Sequence, residues 1–181
     1  NLIDMVRDFP NLRIILEHIS SADGIETVLS LPDTVAATIT VHHLLITLDD
    51  VIKNPHNLCM PIAKTAADRE RIGRAALSGD PKFFFGSDSA PHPRSMKESG
   101  TVAAGVYTAP SALPLLVEFF EKNNSLDKLE AFASQFGAHF YGIPENTQTI
   151  TLTKTPSTIP DICYGVVPFK AGGTMKWTIN D

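Results

Sequence analysis

The chain has 181 residues, 43% of them apolar, and a formal net charge of -5 with a pI near 5.6. That length suits one domain or a large piece of one, with enough apolar residues to bury a core. The acidic balance and scattered Lys and Arg argue against a nucleic-acid partner, and no apolar run approaches the roughly 20 residues of a membrane span. There is no secretory signal pattern, and Cys59 and Cys163 lie far apart with no C-x-x-C pair, so thiolate metal and redox motifs are not expected. Two reduced cytoplasmic thiols are the simplest reading.

In chain order, Leu2, Ile3, Met5 and Val6 read as the end of an amphipathic helix stopped near Pro10. The opening at Asn1, without a methionine and in mid-helix pattern, leads us to expect a piece of a longer protein. Leu12-Arg13-Ile14-Ile15-Leu16 reads as a buried strand ending in Glu17-His18. Ser20 or Ser21 can cap the next helix, with Ile25, Val28 and Leu29 on its inner face. The β-branched run from Val35 to Val41 is a second strand, ending in His42-His43, and a third is expected near Leu58-Cys59-Met60. A helix from about Asp68 to Leu77, closed by Gly79, leads to a strand at Lys82-Phe83-Phe84-Phe85. Helices are expected over Ala112 to Asn123 and Leu126 to Gln135. Ile150 to Thr155 and Val167 to Thr178 look like strands, with Gly172-Gly173 at a hairpin turn.

Alternating strands and helices imply parallel β/α units, whose chemistry collects just past the strand ends. Asp88 follows the triple-Phe strand, where a carboxylate is costly unless paired or metal-bound, and His92 lies four residues on in the same loop. Taken alone the D-x-x-x-H spacing is a weak pattern, and an Asp capping the next turn accounts for it first. His18, at the end of another strand, can offer a neutral imidazole to zinc, although a core histidine bonded to a backbone carbonyl is the commoner case. Together His18 and Asp88 make half of a zinc ligand set at one sheet edge. His42 and His43, as neighbours on extended chain, should point to opposite faces and serve structural roles rather than chelate one ion. His56 and His139 lack polar company in the sequence and read as surface or packing residues. Ser87 and Ser89 lack a G-x-S-x-G elbow, so a serine nucleophile is not expected.

Phe85-Gly86-Ser87-Asp88-Ser89-Ala90-Pro91-His92, followed by Lys97-Glu98-Ser99, resembles the eighth-strand motif of the single-function dihydroorotases. Leu16-Glu17-His18-Ile19-Ser20 resembles their sixth-strand motif. Further blocks match that family in order and spacing: Ala37 to Leu44, Leu58 to Lys64, Phe140-Tyr141-Gly142 and Val167 to Gly172. The wording of His43-Leu44 leading to Leu48-Asp49-Asp50 is closest to the fungal form.

The resemblance implies an α/β fold: the C-terminal half of a (β/α)₈ barrel, about strands six to eight, over residues 1–147, with a small β appendage of the same domain over 148–181. It implies reversible closure of N-carbamoyl-L-aspartate to L-dihydroorotate, in a cytoplasmic homodimer acting on a small molecule. It implies two zinc ions in the complete enzyme. His18 would ligate one, and Asp88 would ligate the other and carry the proton. His92 would contact the substrate carboxylate, and Met60 and Ala104 would hold the ring through their backbones. The family's first-strand histidine pair, carboxylated lysine, fifth-strand histidine and other carboxylate-binding residues would lie before Asn1, so the chain alone is expected to lack turnover. Two other readings stay open. One is a hydantoinase or allantoinase, whose motif usually differs after the Asp. The other is a metal-free scaffold subunit of the same fold, which would have no physical need for His18, Asp88 and His92.

Overall fold

The computed structural model describes residues 2–180. Its centre is a sheet of three parallel strands in sequence order, β1 (Ile14–Leu16), β2 (Val35–Ile39) and β3 (Phe83–Phe85), with Ile14 opposite Val35 and Ala37 opposite Phe83. Every residue of β2 is buried, as expected of a parallel strand covered on both faces. The helix α1 (Leu2–Asp8) precedes β1, and α2 (Ala22–Ser30) returns the chain from β1 to β2. Ser21 caps α2 by accepting a hydrogen bond from the Gly24 N–H, and Ile25 and Val28 are fully buried. Leu29, expected on the same inner face, is instead 39% exposed.

Between β2 and β3 lie α3 (Val41–Leu45), α4 (Leu48–Lys53) and α5 (Ala66–Ala76). α5 begins two residues before its expected start because Thr65 is the cap, and the Asp68 carboxylate bonds back to the Thr65 N–H to complete a capping box. The strand expected at Leu58-Cys59-Met60 does not form. A 3₁₀ turn at Pro55–Asn57 and a cis Met60–Pro61 bond make this segment a loop. A short apolar run flanked by prolines cannot sustain a ladder, which explains the difference.

After β3 come α6 (Arg94–Lys97), α7 (Ala112–Lys122) and α8 (Phe136–Tyr141). α7 buries Leu115, Leu116 and Phe120 in the common apolar core. The helix expected over 126–135 is a 3₁₀ turn (Leu126–Lys128) and then a π-helical stretch (Ala131–Gln135) running into α8. Phe132 in that stretch is buried against Phe120, ring centroids 5.3 Å apart.

The last residues form two small antiparallel ladders: β4 (Thr151–Thr153) with β7 (Thr178–Asn180), and β5 (Ser157–Thr158) with β6 (Thr174–Met175). The run Val167–Thr178 is thus not one strand but a turn followed by two short ones. Gly172, at φ 72°, makes the turn before β6 and donates to the Ile159 carbonyl. Ile159, Phe169 and Met175 anchor these ladders in the core, and Trp177 Nε1 donates to Glu121 of α7 at 3.1 Å. No helix among the described residues is long and apolar enough to cross a membrane.

Candidate active site

The C-terminal ends of β1 and β3 open onto one cleft of about 550 Å³. Glu17, His18, Thr38, Gly86, Asp88 and Tyr141 are among the residues that line it. His18 and Asp88, which the sequence placed at one sheet edge, therefore do share a site. Both have left-handed backbones, with φ of 42° and 40°. A non-glycine residue in that region is uncommon and costs of order 1 kcal/mol or more, a cost concentrated at functional sites.

Thr38 of β2, which the sequence reading did not single out, sets the geometry. Its hydroxyl donates to Glu17 Oε2 at 2.5 Å and accepts from the His18 N–H at 2.6 Å, while its carbonyl accepts from Ile19 N–H at 2.9 Å. One side chain, 3% exposed, thus fixes the strand end that carries His18. Gly86 lets β3 approach it: a Cβ there would stand 2.7 Å from Thr38 Cβ. Tyr141, from α8, belongs to the Phe140-Tyr141-Gly142 block and has no site role that the sequence alone predicts. It closes the cleft, its phenol pushed up from the ordinary value by burial and by Glu17. A β-branched polar residue at a buried strand end was the one signal that could have pointed to Thr38.

His18 Nδ1 is buried and has no hydrogen-bond partner among the described residues. An unpaired buried imidazole nitrogen on a residue that shares a cleft with the Asp88 carboxylate offers a nitrogen and an oxygen donor of the kinds that zinc takes. Ser89 ties its loop to the chain after Val106: its Oγ accepts from the Thr108 and Ala109 N–H groups at 3.1 and 3.0 Å.

Met60, His92 and Ala104 do not line the cleft but form a neighbouring group. His92 Nε2 lies 2.9 Å from the Ala104 carbonyl, so that nitrogen carries the proton. Gly105, with φ 148°, donates from its N–H to the Leu58 carbonyl at 2.8 Å, joining the Met60 loop to the Ala104 segment. The Met60 side chain is 62% exposed.

The histidine pair departs from expectation. Val41–Leu45 is a helical turn, not extended chain, so His42 and His43 lie side by side with ring centroids 4.6 Å apart. Together with Cys59 they place three possible ligand atoms within 4.8 Å. His43 is nevertheless committed. Its Nε2 donates to the Pro61 carbonyl at 2.9 Å, and its Nδ1 lies 2.8 Å from the Thr40 hydroxyl, leaving no free lone pair. His43 ties the cis-Pro61 loop to α3, which is a structural role. Burial, with the neighbouring His43 and His18, pushes His42 down to about 3; burial also pushes His43 down to about 4. His56 and His139 are not without polar company: they pair with Glu98 at 3.1 Å and Glu145 at 2.6 Å, partners that sequence distance concealed in the first case.

No protein-family model matches the chain. It is 47% identical over 183 residues to a dihydroorotase of Teredinibacter turnerae, covering 97% of this chain and 53% of that protein. A crystal structure of dihydroorotase from Saccharomyces cerevisiae in complex with 5-fluoroorotic acid matches 99% of this chain and 54% of its own, at 41% identity and a TM-score of 0.93. The L-hydantoinase of Arthrobacter aurescens matches at a TM-score of 0.82 but 21% identity, a likeness of fold alone. The chain spans about half the length of the curated relatives it matches. Its parallel β/α units are accordingly part of a TIM-barrel amidohydrolase fold. By sequence and by structure the chain belongs to the dihydroorotases, as the C-terminal half of their length.

Proposed function

We propose that the protein to which this chain belongs interconverts N-carbamoyl-L-aspartate and L-dihydroorotate by zinc-dependent cyclic amide chemistry. The observation that carries this reading is the pairing of His18 and Asp88 in one cleft, both on left-handed backbone, in a chain 42–48% identical to dihydroorotases. His18 and Asp88 would each hold a zinc ion, with the remaining donors from outside this chain, since a catalytic zinc ordinarily has three protein ligands. Bound zinc supplies Lewis acidity, lowering the pKa of water from about 15.7 towards about 7 and polarising the ring amide carbonyl.

The chain's own groups do the rest. In the hydrolytic direction Asp88 accepts the proton of the attacking water and returns it to the leaving ring nitrogen; in the reverse direction it runs the same transfer backwards. His92, oriented by the bond from its Nε2 to the Ala104 carbonyl, is the side chain that meets the substrate carboxylate. The Met60 and Ala104 backbones, on loops joined by the Gly105 N–H to the Leu58 carbonyl, hold the ring. The free thiols of Cys59 and Cys163 suit a reducing, cytoplasmic setting, and we place residues 148–181 as an appendage of the same domain.

The test is turnover of dihydroorotate against hydantoin by the full-length polypeptide, with zinc measured in the same preparation. The expected result is about two zinc ions per chain, hydrolysis of dihydroorotate with hydantoin at least about tenfold slower, and inhibition by 5-fluoroorotic acid. Preference for hydantoin, or a metal-free protein without turnover, would overturn the reading.

A further inference from the structure

Lys97 is the most deeply buried cation among the described residues, 2% exposed, and no carboxylate pairs with it among the ion pairs described. A buried ammonium survives only where each of its three protons finds an acceptor. Here all three do. Nζ donates to the carbonyls of Leu58 at 3.1 Å, Ala103 at 2.9 Å and Gly105 at 2.8 Å. These carbonyls come from two segments well separated in sequence, at Leu58 and at Ala103–Gly105. One is the loop carrying Met60, and the other brackets Ala104 on both sides. Both the ammonium and the Gly105 N–H converge on Leu58 O, so the two segments are joined twice at one atom. The Ala104 carbonyl, between the two that Lys97 holds, is left to His92.

We propose that Lys97 is a positioning residue for substrate binding: its ammonium clamps the Met60 loop to the Ala103–Gly105 segment, so that the backbone groups that hold the ring and the His92 side chain that meets the carboxylate sit at fixed spacing. This rests on the ring-holding role proposed above for Met60 and Ala104. The clamp does not touch the His18–Asp88 cleft, so it governs how substrate is held rather than how the bond is cleaved. Lysine suits the task because its three protons diverge from one point. Arginine spreads its donors across a plane and cannot satisfy the same three carbonyls. Gly105 completes the device: a Cβ there would stand 2.7 Å from the His92 ring, and its φ of 148° is one that other residues rarely adopt.

The experiment is steady-state kinetics of dihydroorotate hydrolysis by the full-length polypeptide carrying Lys97→Met, Lys97→Arg or Gly105→Ala, with zinc content measured for each. The clamp predicts that KM rises about tenfold or more in all three while kcat falls less than about threefold, with zinc unchanged. If Lys97→Met does not fold, Lys97→Arg and Gly105→Ala decide the matter alone. An unchanged KM in the folded variants, or kcat and KM falling together with zinc loss, overturns the clamp. Absence of dihydroorotate turnover in the unsubstituted protein would instead overturn the proposed function, so the two failures are distinct.

Discussion

At the scale of single residues, the site depends on polar groups held where water cannot reach them. His42 is the extreme case: fully buried, both ring nitrogens without a partner among the described residues, its pKa pushed down to about 3 by burial and by the neighbouring His43 and His18. His43 follows, at about 4, lowered chiefly by burial. Both values lie below the ordinary 6.5, so between pH 6.5 and about 3 the unfolded chain binds protons that the folded chain refuses. Their contribution to stability is therefore complete above pH 6.5 and is lost progressively as the pH falls towards 3. We expect Tm to fall across that window, and the fall to be shallower in His42→Phe, which removes one of the two neutral imidazoles. Parallel Tm–pH curves for the two proteins would show that His42 is not kept neutral by burial.

At the scale of elements, the ends of three short parallel strands are tied to one another at the cleft. Thr38 at the end of β2 holds Glu17 and His18 beyond β1, and Gly86 brings the end of β3 against the same threonine. Gly86→Ala would drive a methyl group into Thr38, a residue with no room to move between two strands. We expect it to cost about 1–3 kcal/mol of stability, read as a lower denaturant midpoint at constant m-value. An unchanged midpoint would mean that the β2–β3 contact is looser than the structure has it.

The strands and the helices around them were legible because short apolar runs such as Ile14–Leu16, half-buried, and Val35–Ile39, buried on both faces, stand between capped helices, and because Ser21 caps α2 by a local rule. The placement of His18 and Asp88 followed from the same logic. What escaped was set by distant partners. The loop at Leu58–Met60 is held from afar, by Gly105 N–H and Lys97 Nζ on the Leu58 carbonyl. The π-helical stretch at Ala131–Gln135 has no local signature. The pairing of His56 with Glu98 spans forty-two residues. Likewise nothing in the sequence near Lys97 shows that its ammonium ends among three carbonyls.

At the scale of the whole molecule, the chain supplies consecutive β/α units of a barrel about twice its length. Its sheet places His18 and Asp88 at a single cleft. In the proposed function the labour divides in space: proton transfer at the strand ends, and substrate grip on the loops that Lys97 joins. The proposed function turns on Asp88, just past the end of β3, as the group that carries the proton. The most direct test is kcat for dihydroorotate hydrolysis by the full-length polypeptide with Asp88→Asn, which keeps the shape of the side chain and removes its basicity. The account predicts a fall of about 10²-fold or more, the size expected for losing a general base. Turnover within about threefold of the unsubstituted protein would contradict it.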